Sequence, residues 1–453
     1  MPGGGGLLQL VATGKQDVFL TGNPQMTFFK MVYRRYTNFA IESQAMYFDG
    51  DPDFGKRLTT TIPRRGDLLG PMMLEIVLPP IKYENGAAAK YVNSVGHAII
   101  EEITLEIGEQ EIDKQTGEWM EIWSKLSMPA GLKDGFSNMI GRVDGSVLPF
   151  STERPPTCST STSGVYEYGS QKLYIPLQFW FNKNPGLYLP LLAMQYHPIR
   201  LNVKLRGLQE LVYNPLATGS CTDAAVQKAK IVDIRLWGDY VFLDTEERRR
   251  FVANNHEYLI EQIQYTPRIA IPEKQATQSV RLEFNHPLRE LIWYIQRDYN
   301  VQKKDWFNYS SLEREEIGAR QDILQDAVLQ VDGFDRFERR DAGYFRFVQP
   351  FQYHTNIPTT DYFYTYSFAL RPEEMQPSGS LNASRIDNMV LQVNCRPSTT
   401  QAEYDTFKTD ANANKANLTP IAPPRGPASV RVYAKNHNIL RVVGGFAGLL
   451  FRI

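Results

Sequence analysis

The 453-residue chain carries six histidines, at positions 97, 197, 256, 286, 354 and 437. A zinc or iron site needs imidazoles at short repeats, or paired thiolates, because the ligands must converge on one ion. No HxH, HxxxH or HExxH pattern occurs, and no CxxC joins Cys158, Cys221 and Cys395. The histidines therefore read as structural, and no metal or other cofactor is expected. The neighbouring carboxylates Glu101-Glu102, Glu246-Glu247 and Glu315-Glu316 are the remaining groups suited to acid–base work. Glycosidases use two carboxylates across a cleft, which spacing along a chain does not specify. Adjacent acids more often mark solvated loops or first helical turns, and Glu246-Glu247 suits a helix start. There is no GxxxxGK[ST] and no strand-linked GxGxxG, since the four glycines at 3–6 stand at the terminus with no strand before them. The chain reads as a non-enzyme.

Three sequons, at Asn308, Asn382 and Asn417, are the candidate glycosylation positions. Lys30, Arg34 and Arg35 form a small basic cluster, with no acid between Asp17 and Glu42. It reads as a solvated face or as a contact for a partner. Formal net charge is -1, which excludes a general polyanion binder, so direct specific nucleic-acid binding is not expected. Sparse, odd-numbered cysteines argue against a disulfide framework and suit a reducing compartment. The opening MPGGGGLLQLVATG lacks a basic n-region, so no secretory leader is expected. No apolar run reaches the ~20 residues of a membrane-spanning helix.

The elements that would carry these residues are mostly strands. Residues 23–44, NPQMTFFKMVYRRYTNFAIESQ, are the organising stretch. Asn23 suits an N-cap and Pro24 a first helical position, and Phe28, Phe29, Val32, Tyr33 and Tyr36 share a helical face. From Phe39 the period becomes two, so a helix feeding a strand is expected. Further strands are expected over 57–63, 71–79, 173–181, 197–205 and 230–243, with a hairpin over 103–113 turning at Gly108. Residues 80–100 and 114–172 read as loops, and the Ser/Thr/Pro-rich run 151–164 as exposed. Residues 124–172, 214–227 and 297–325 are expected to project outward. Residues 1–22 read as an arm, flexible at its glycines, with Leu7, Leu8 and Leu10 available to dock.

The second half repeats the first. FAIE at Phe39 returns as YLIE at Tyr258, and Gly70-Pro71 with Leu74 returns as His286-Pro287 with Leu291. IGEQEID at Ile107 pairs with VDGFDRFE at Val331, Trp119 with Tyr344, PLQFWF at Pro176 with YSFAL at Tyr366, and IRLWG at Ile234 with VRVYA at Val430. Collinear order makes the set persuasive where no single pair is. Eight strands and long loops, twice over, predict two tandem eight-stranded antiparallel jelly rolls, an all-β fold with short helices and long surface loops. The expected divisions are an arm at 1–24, a first roll at 25–244, a linker helix at 245–255 and a second roll at 256–453. A carbohydrate-binding or glycan-processing double β-sandwich is the alternative on these patterns alone.

Long ordered motifs then carry a resemblance. They include DVFLTGNPQMTFFKMVYRRYTNFAIES from Asp17, VGHAIIEEITLEIGEQEID from Val95 and LYIPLQFWFNKNPGLYLPLLAMQYHPIRL from Leu173. DYVFLDTEERRRF from Asp239, FNHPLRELIW from Phe284, LRPEEMQPSGSLNASRIDN from Leu370 and VYAKNHNILRVVGGFAGLLF from Val432 extend it. The chain resembles the major capsid proteins of the nucleocytoplasmic large DNA viruses, of the algal- and amoebal-virus type. The resemblance implies a homotrimer forming a pseudo-hexagonal capsomer that tiles an icosahedral shell in the virion. It implies neighbouring capsomers, minor capsid proteins and an internal membrane layer as partners, with assembly in the host cytoplasm. Trp180, Tyr188, Leu189, Phe446 and Leu449 are the trimer-interface candidates it suggests. Leu7, Leu8, Leu10, Lys30, Arg34 and Arg35 are the inner-face candidates.

Overall fold

The computed structural model describes residues 5–12, 14–20, 22, 29–31, 33, 36–84, 90–142, 165–168, 170–213, 229–273, 276–311, 321–396 and 426–451. It comprises two units, residues 1–39 and 40–453.

In the first unit, α1 (Gly5–Val11) and α2 (Lys15–Leu20) are short helices. The helix expected after Asn23 is not found among the described residues: Phe29, Lys30, Met31, Tyr33 and Tyr36 are all non-helical. Aromatic and β-branched side chains lose rotamer freedom in a helix, and a short isolated helix is marginal in any case. Residues 23–28 lie outside the described residues.

The second unit contains the two rolls. In the first, β1 (Phe39–Met46), β8 (Asp233–Leu243), β3 (Leu68–Leu78) and β6 (Gln171–Pro176) form one sheet in that order. The other sheet runs β2 (Arg57–Thr61), β7 (Ile199–Leu205), β4 (Ile100–Ile107), β5 (Gln110–Thr116). In the second roll, β9 (His256–Tyr265), β16 (Ala428–Val443), β11 (Pro287–Arg297) and β14 (Phe363–Ser367) make the first sheet. The order β10 (Thr277–Arg281), β15 (Met389–Cys395), β12 (Leu324–Val331), β13 (Phe334–Asp335) makes the second. Adding eight to each label of the first roll reproduces the second. This wrapped order is a jelly roll, and every sequence pairing noted above falls on corresponding strands or on the segment that follows them.

Alternation builds each core. Leu74, Ile76, Ile103, Leu105, Leu201, Val203 and Leu236 face inward between the sheets of the first roll. Leu291, Trp293, Ile295, Leu329, Leu391, Val393, Val430 and Val432 do so in the second. The β4–β5 hairpin turns through Gly108 and Glu109, with φ of 58° and 67°, the left-handed pair that matches strand twist in a two-residue turn.

Several connections are more ordered than the sequence suggests. Residues 80–100 contain strands Ile81–Glu84 and Lys90–Tyr91 and the helix α3 (Val95–Ile99). Residues 114–142 contain α4 (Gly117–Ser127) and α5 (Lys133–Ile140). The strand expected to reach Phe181 ends at Pro176, and α6 (Trp180–Lys183) follows. Thr116 caps α4, its Oγ1 accepting from the Trp119 N–H at 3.3 Å. A Cβ at Gly117 would run into the His97 and Ile100 carbonyls, so only glycine lets the helix start there. Residues 297–311 are not an outward loop either, because Trp306, Phe307 and Tyr309 are buried. Residues 143–164, 214–228 and 312–320 lie outside the described residues.

Candidate assembly interface

The functional geometry begins at the seam between the rolls. The apolar stripe of α4 fills it: Trp119, Ile122, Trp123 and Leu126 cluster with Ile263, Ile292, Tyr294, Tyr309 and Tyr433 of the second roll. Trp119 and Trp123 stack at 5.5 Å. Edge strands of the two rolls, β5 and β9, meet here and are closed by side chains. Gln262 donates to the Ile112 carbonyl, and the Ile263 N–H donates to Asp113 Oδ1 at 3.1 Å. Covering two edges with each other removes two templates for unwanted strand pairing. The second roll also sends Trp306 into the first core, its indole N–H donating to the Glu210 carbonyl at 3.0 Å.

Buried charge locks the same seam. Glu118 Oε1 accepts from Arg206 at 3.0 Å and from Arg268 at 2.7 Å, and Oε2 pairs with Arg431 at 3.2 Å. Burial alone pushes the Glu118 carboxyl up, but Arg206, Arg268 and Arg431 outweigh it and hold the group down at about 2. Glu261 is paired with Arg289, with Lys435 at 3.2 Å and with Lys183 of the first roll at 3.4 Å. Burial is again opposed, here by Lys435, Lys183 and Arg289, and the carboxyl sits at about 2. Such pairs cost much desolvation, and removing one partner would leave an uncompensated buried charge at the seam.

Four of the six histidines have polar partners, whereas His286 Nε2 and both ring nitrogens of His437 are buried without one among the described residues. His97 Nδ1 is 2.6 Å from Glu121 Oε2, and His354 lies 3.3 Å from Glu290 and 3.1 Å from Glu373. His197 Nδ1 is 2.7 Å from the Ala447 carbonyl, and His256 Nε2 is 2.7 Å from that of Phe251. Asp244 accepts from the Thr245 N–H at the start of α7 (Thr245–Ala253), which places Glu246 and Glu247 in a first helical turn. Among the described residues no group of three or more His, Cys, Asp or Glu is placed to hold a metal ion.

The interface candidates separate by burial. Trp180 and Leu189 are each 1% exposed inside the first core, so neither can present a surface to another subunit. Their apolar character serves the roll itself. Tyr188 and Leu449 are half-buried, and Phe446 is 54% exposed. Phe446 packs on exposed Tyr196 with the rings tilted and their centroids 5.1 Å apart; its cross-strand partner Val443 is exposed too, as are Leu450 and Phe451 further along the chain. Among inner-face candidates, Leu8, Leu10 and Lys30 are exposed, Leu7 lies in α1, and Arg34 and Arg35 lie outside the described residues. Asn308 is 7% exposed and its Oδ1 accepts from Ser310, so it cannot be a glycan acceptor in the folded chain. Asn382 is exposed, and Asn417 lies outside the described residues.

The charge clusters escaped sequence reading because their members stand 28 to 313 positions apart. Helix α4 did carry a signal, the i, i+3, i+4, i+7 spacing of Trp119, Ile122, Trp123 and Leu126.

Two jelly rolls of one topology, locked edge to edge, define the class as double jelly-roll proteins. Residues 27–244 match the family described as major capsid protein N-terminus, and residues 247–448 match large eukaryotic DNA virus major capsid protein. The major capsid protein of Pyramimonas orientalis virus is 37% identical, covering 99% of each chain. That of Paramecium bursaria Chlorella virus 1 is also 37% identical over 99% of each chain. A chain of the PBCV-1 virus capsid superimposes with a TM-score of 0.73 at 31% identity, covering 94% of this chain and 100% of that one. The Faustovirus major capsid protein shares the fold, with a TM-score of 0.71 at 13% identity, over 95% of this chain and 94% of that one. The chain belongs to the major capsid protein family of large eukaryotic DNA viruses. It is a structural, non-enzymatic component of an icosahedral capsid.

Proposed function

We propose that the chain works as a homotrimer, a pseudo-hexagonal capsomer that tiles the capsid faces. The observation that carries this is the matching strand order of the two rolls. Three chains with two near-equivalent rolls present six similar flanks to their neighbours under closed threefold symmetry. In this reading residues 1–24 are an arm, 25–244 and 256–453 are the rolls, and 245–255 link them. The patch of Tyr196, Phe446, Leu449 and Phe451, with Tyr188, meets the next protomer. Tyr196 and Phe446, in contact with each other and both largely exposed, are apolar surface that favours burial against a copy of the same chain.

The arm faces inward. Leu7, Leu8, Leu10, Lys30, Arg34 and Arg35 contact minor capsid proteins or the internal membrane layer, and the shell assembles in the host cytoplasm. Full-length protein and two variants test this division of labour. Phe446→Asp is expected to yield folded monomer. Deleting residues 2–14 is expected to leave the trimer intact and to impair shell assembly. Loss of the fold on deleting 2–14 would make the arm part of the first roll and overturn the inward assignment.

A further inference from the structure

A cleft of about 240 Å³ opens on the seam. Arg206, just after β7, and Glu118 line it from the first roll, while Arg268, Arg431 and Trp306 line it from the second. The three guanidinium groups converge on the single Glu118 carboxylate, at 3.0, 2.7 and 3.2 Å. Each guanidinium carries about five N–H donors, and one carboxylate accepts only about four hydrogen bonds. Donors are therefore in excess. Arg206 is buried, with its guanidinium 3.9 Å over the Trp306 ring, yet its Nε has no hydrogen-bond partner. A buried donor left unmade is destabilising, and more so when charged.

The charges are also unequal. The other two carboxylates on the cleft have lysines of their own: Glu101 with Lys204 at 2.7 Å and Glu102 with Lys114 at 3.0 Å. Glu118 then stands alone against Arg206, Arg268 and Arg431. Two positive charges remain uncompensated at a partly dry junction, where Coulomb interactions are stronger than in bulk water.

We propose that this cleft binds a free tetrahedral oxyanion, inorganic phosphate or sulfate, held by Arg206, Arg268 and Arg431 between the two rolls. Guanidinium groups match such oxyanions in both charge and donor geometry. A water occupies roughly 30 Å³, so the cleft holds one oxyanion with a few waters and is too small for a nucleotide. Because the donors come from both rolls, the ion binds only the joined, folded state and stabilises it by mass action.

Calorimetric titration of full-length protein with sodium phosphate, at constant ionic strength set by chloride, tests the site. One saturable site per chain is expected, with a melting temperature that rises with the logarithm of phosphate. Arg268→Gln should weaken binding by about tenfold, the effect of one charged donor. Glu101→Gln, on the exposed rim, should tighten it by a few-fold through lost repulsion. It also decides the matter if the arginine variant does not fold. A non-saturating rise that is equal in wild type and both variants is general salt exclusion and would overturn the site. Tighter binding of ADP than of phosphate would overturn the free-ion assignment in favour of a larger phosphorylated ligand.

Discussion

The side-chain hydroxyls of Thr116 and Tyr433 lie 2.8 Å apart although 317 positions separate them. Thr116 caps the helix that fills the seam, and Tyr433 stands on β16, in the interior of the second roll's sheet. One hydrogen bond thus joins a local signal of the first roll to the seam face of the second roll's sheet.

A double-mutant cycle of Thr116→Val and Tyr433→Phe reads that link. A coupling of about 1 kcal/mol is expected in urea unfolding, the net value of one buried hydrogen bond. Simple additivity would mean that the two rolls are stabilised independently at this point.

Glu118 contributes to the acid limit, together with Glu261, whose carboxyl is also held at about 2. The folded value of Glu118, about 2, lies below the ordinary 4.5, so its contribution is complete above 4.5 and is lost as pH falls from there through 2. Glu118→Gln should flatten that acid limb. It should also cost about 3–5 kcal/mol at neutral pH, because three arginines lose their partner. An acid limb of unchanged slope in the variant would place the sensitive carboxylate elsewhere.

His354 sets an opposite, alkaline limb. Glu290 and Glu373 raise it to about 9 against the opposing effect of burial, above the ordinary 6.5. Its contribution is then complete below 6.5 and disappears as pH rises through 9. His354→Gln should remove this alkaline loss in melting curves recorded from pH 6 to about 10, whereas persistence of the loss would assign it to another group.

The sequence exposed the rolls more readily than the seam. Alternation at Leu74, Ile76, Leu291 and Ile295 follows from each strand's own two faces, and the β4–β5 turn at Gly108 is local chemistry. Both are visible in a short window. Helix α4 was hidden because its stripe of Trp119, Ile122, Trp123 and Leu126 lies in a stretch without other regular pattern. Its cap, Thr116, also ends a strand. Glu118 with Arg268 and Arg431 is a meeting of distant residues, which no spacing rule encodes. Trp180 and Leu189 show the limit from the other side, since an apolar residue near a strand end suits a core and an interface equally until the fold is known.

The trimer is tested most directly by the native mass of the purified full-length chain at micromolar concentration. A single stable species at three times the chain mass, with threefold averages of hexagonal outline in electron micrographs, is the predicted result. A folded monomer as the dominant species would contradict it.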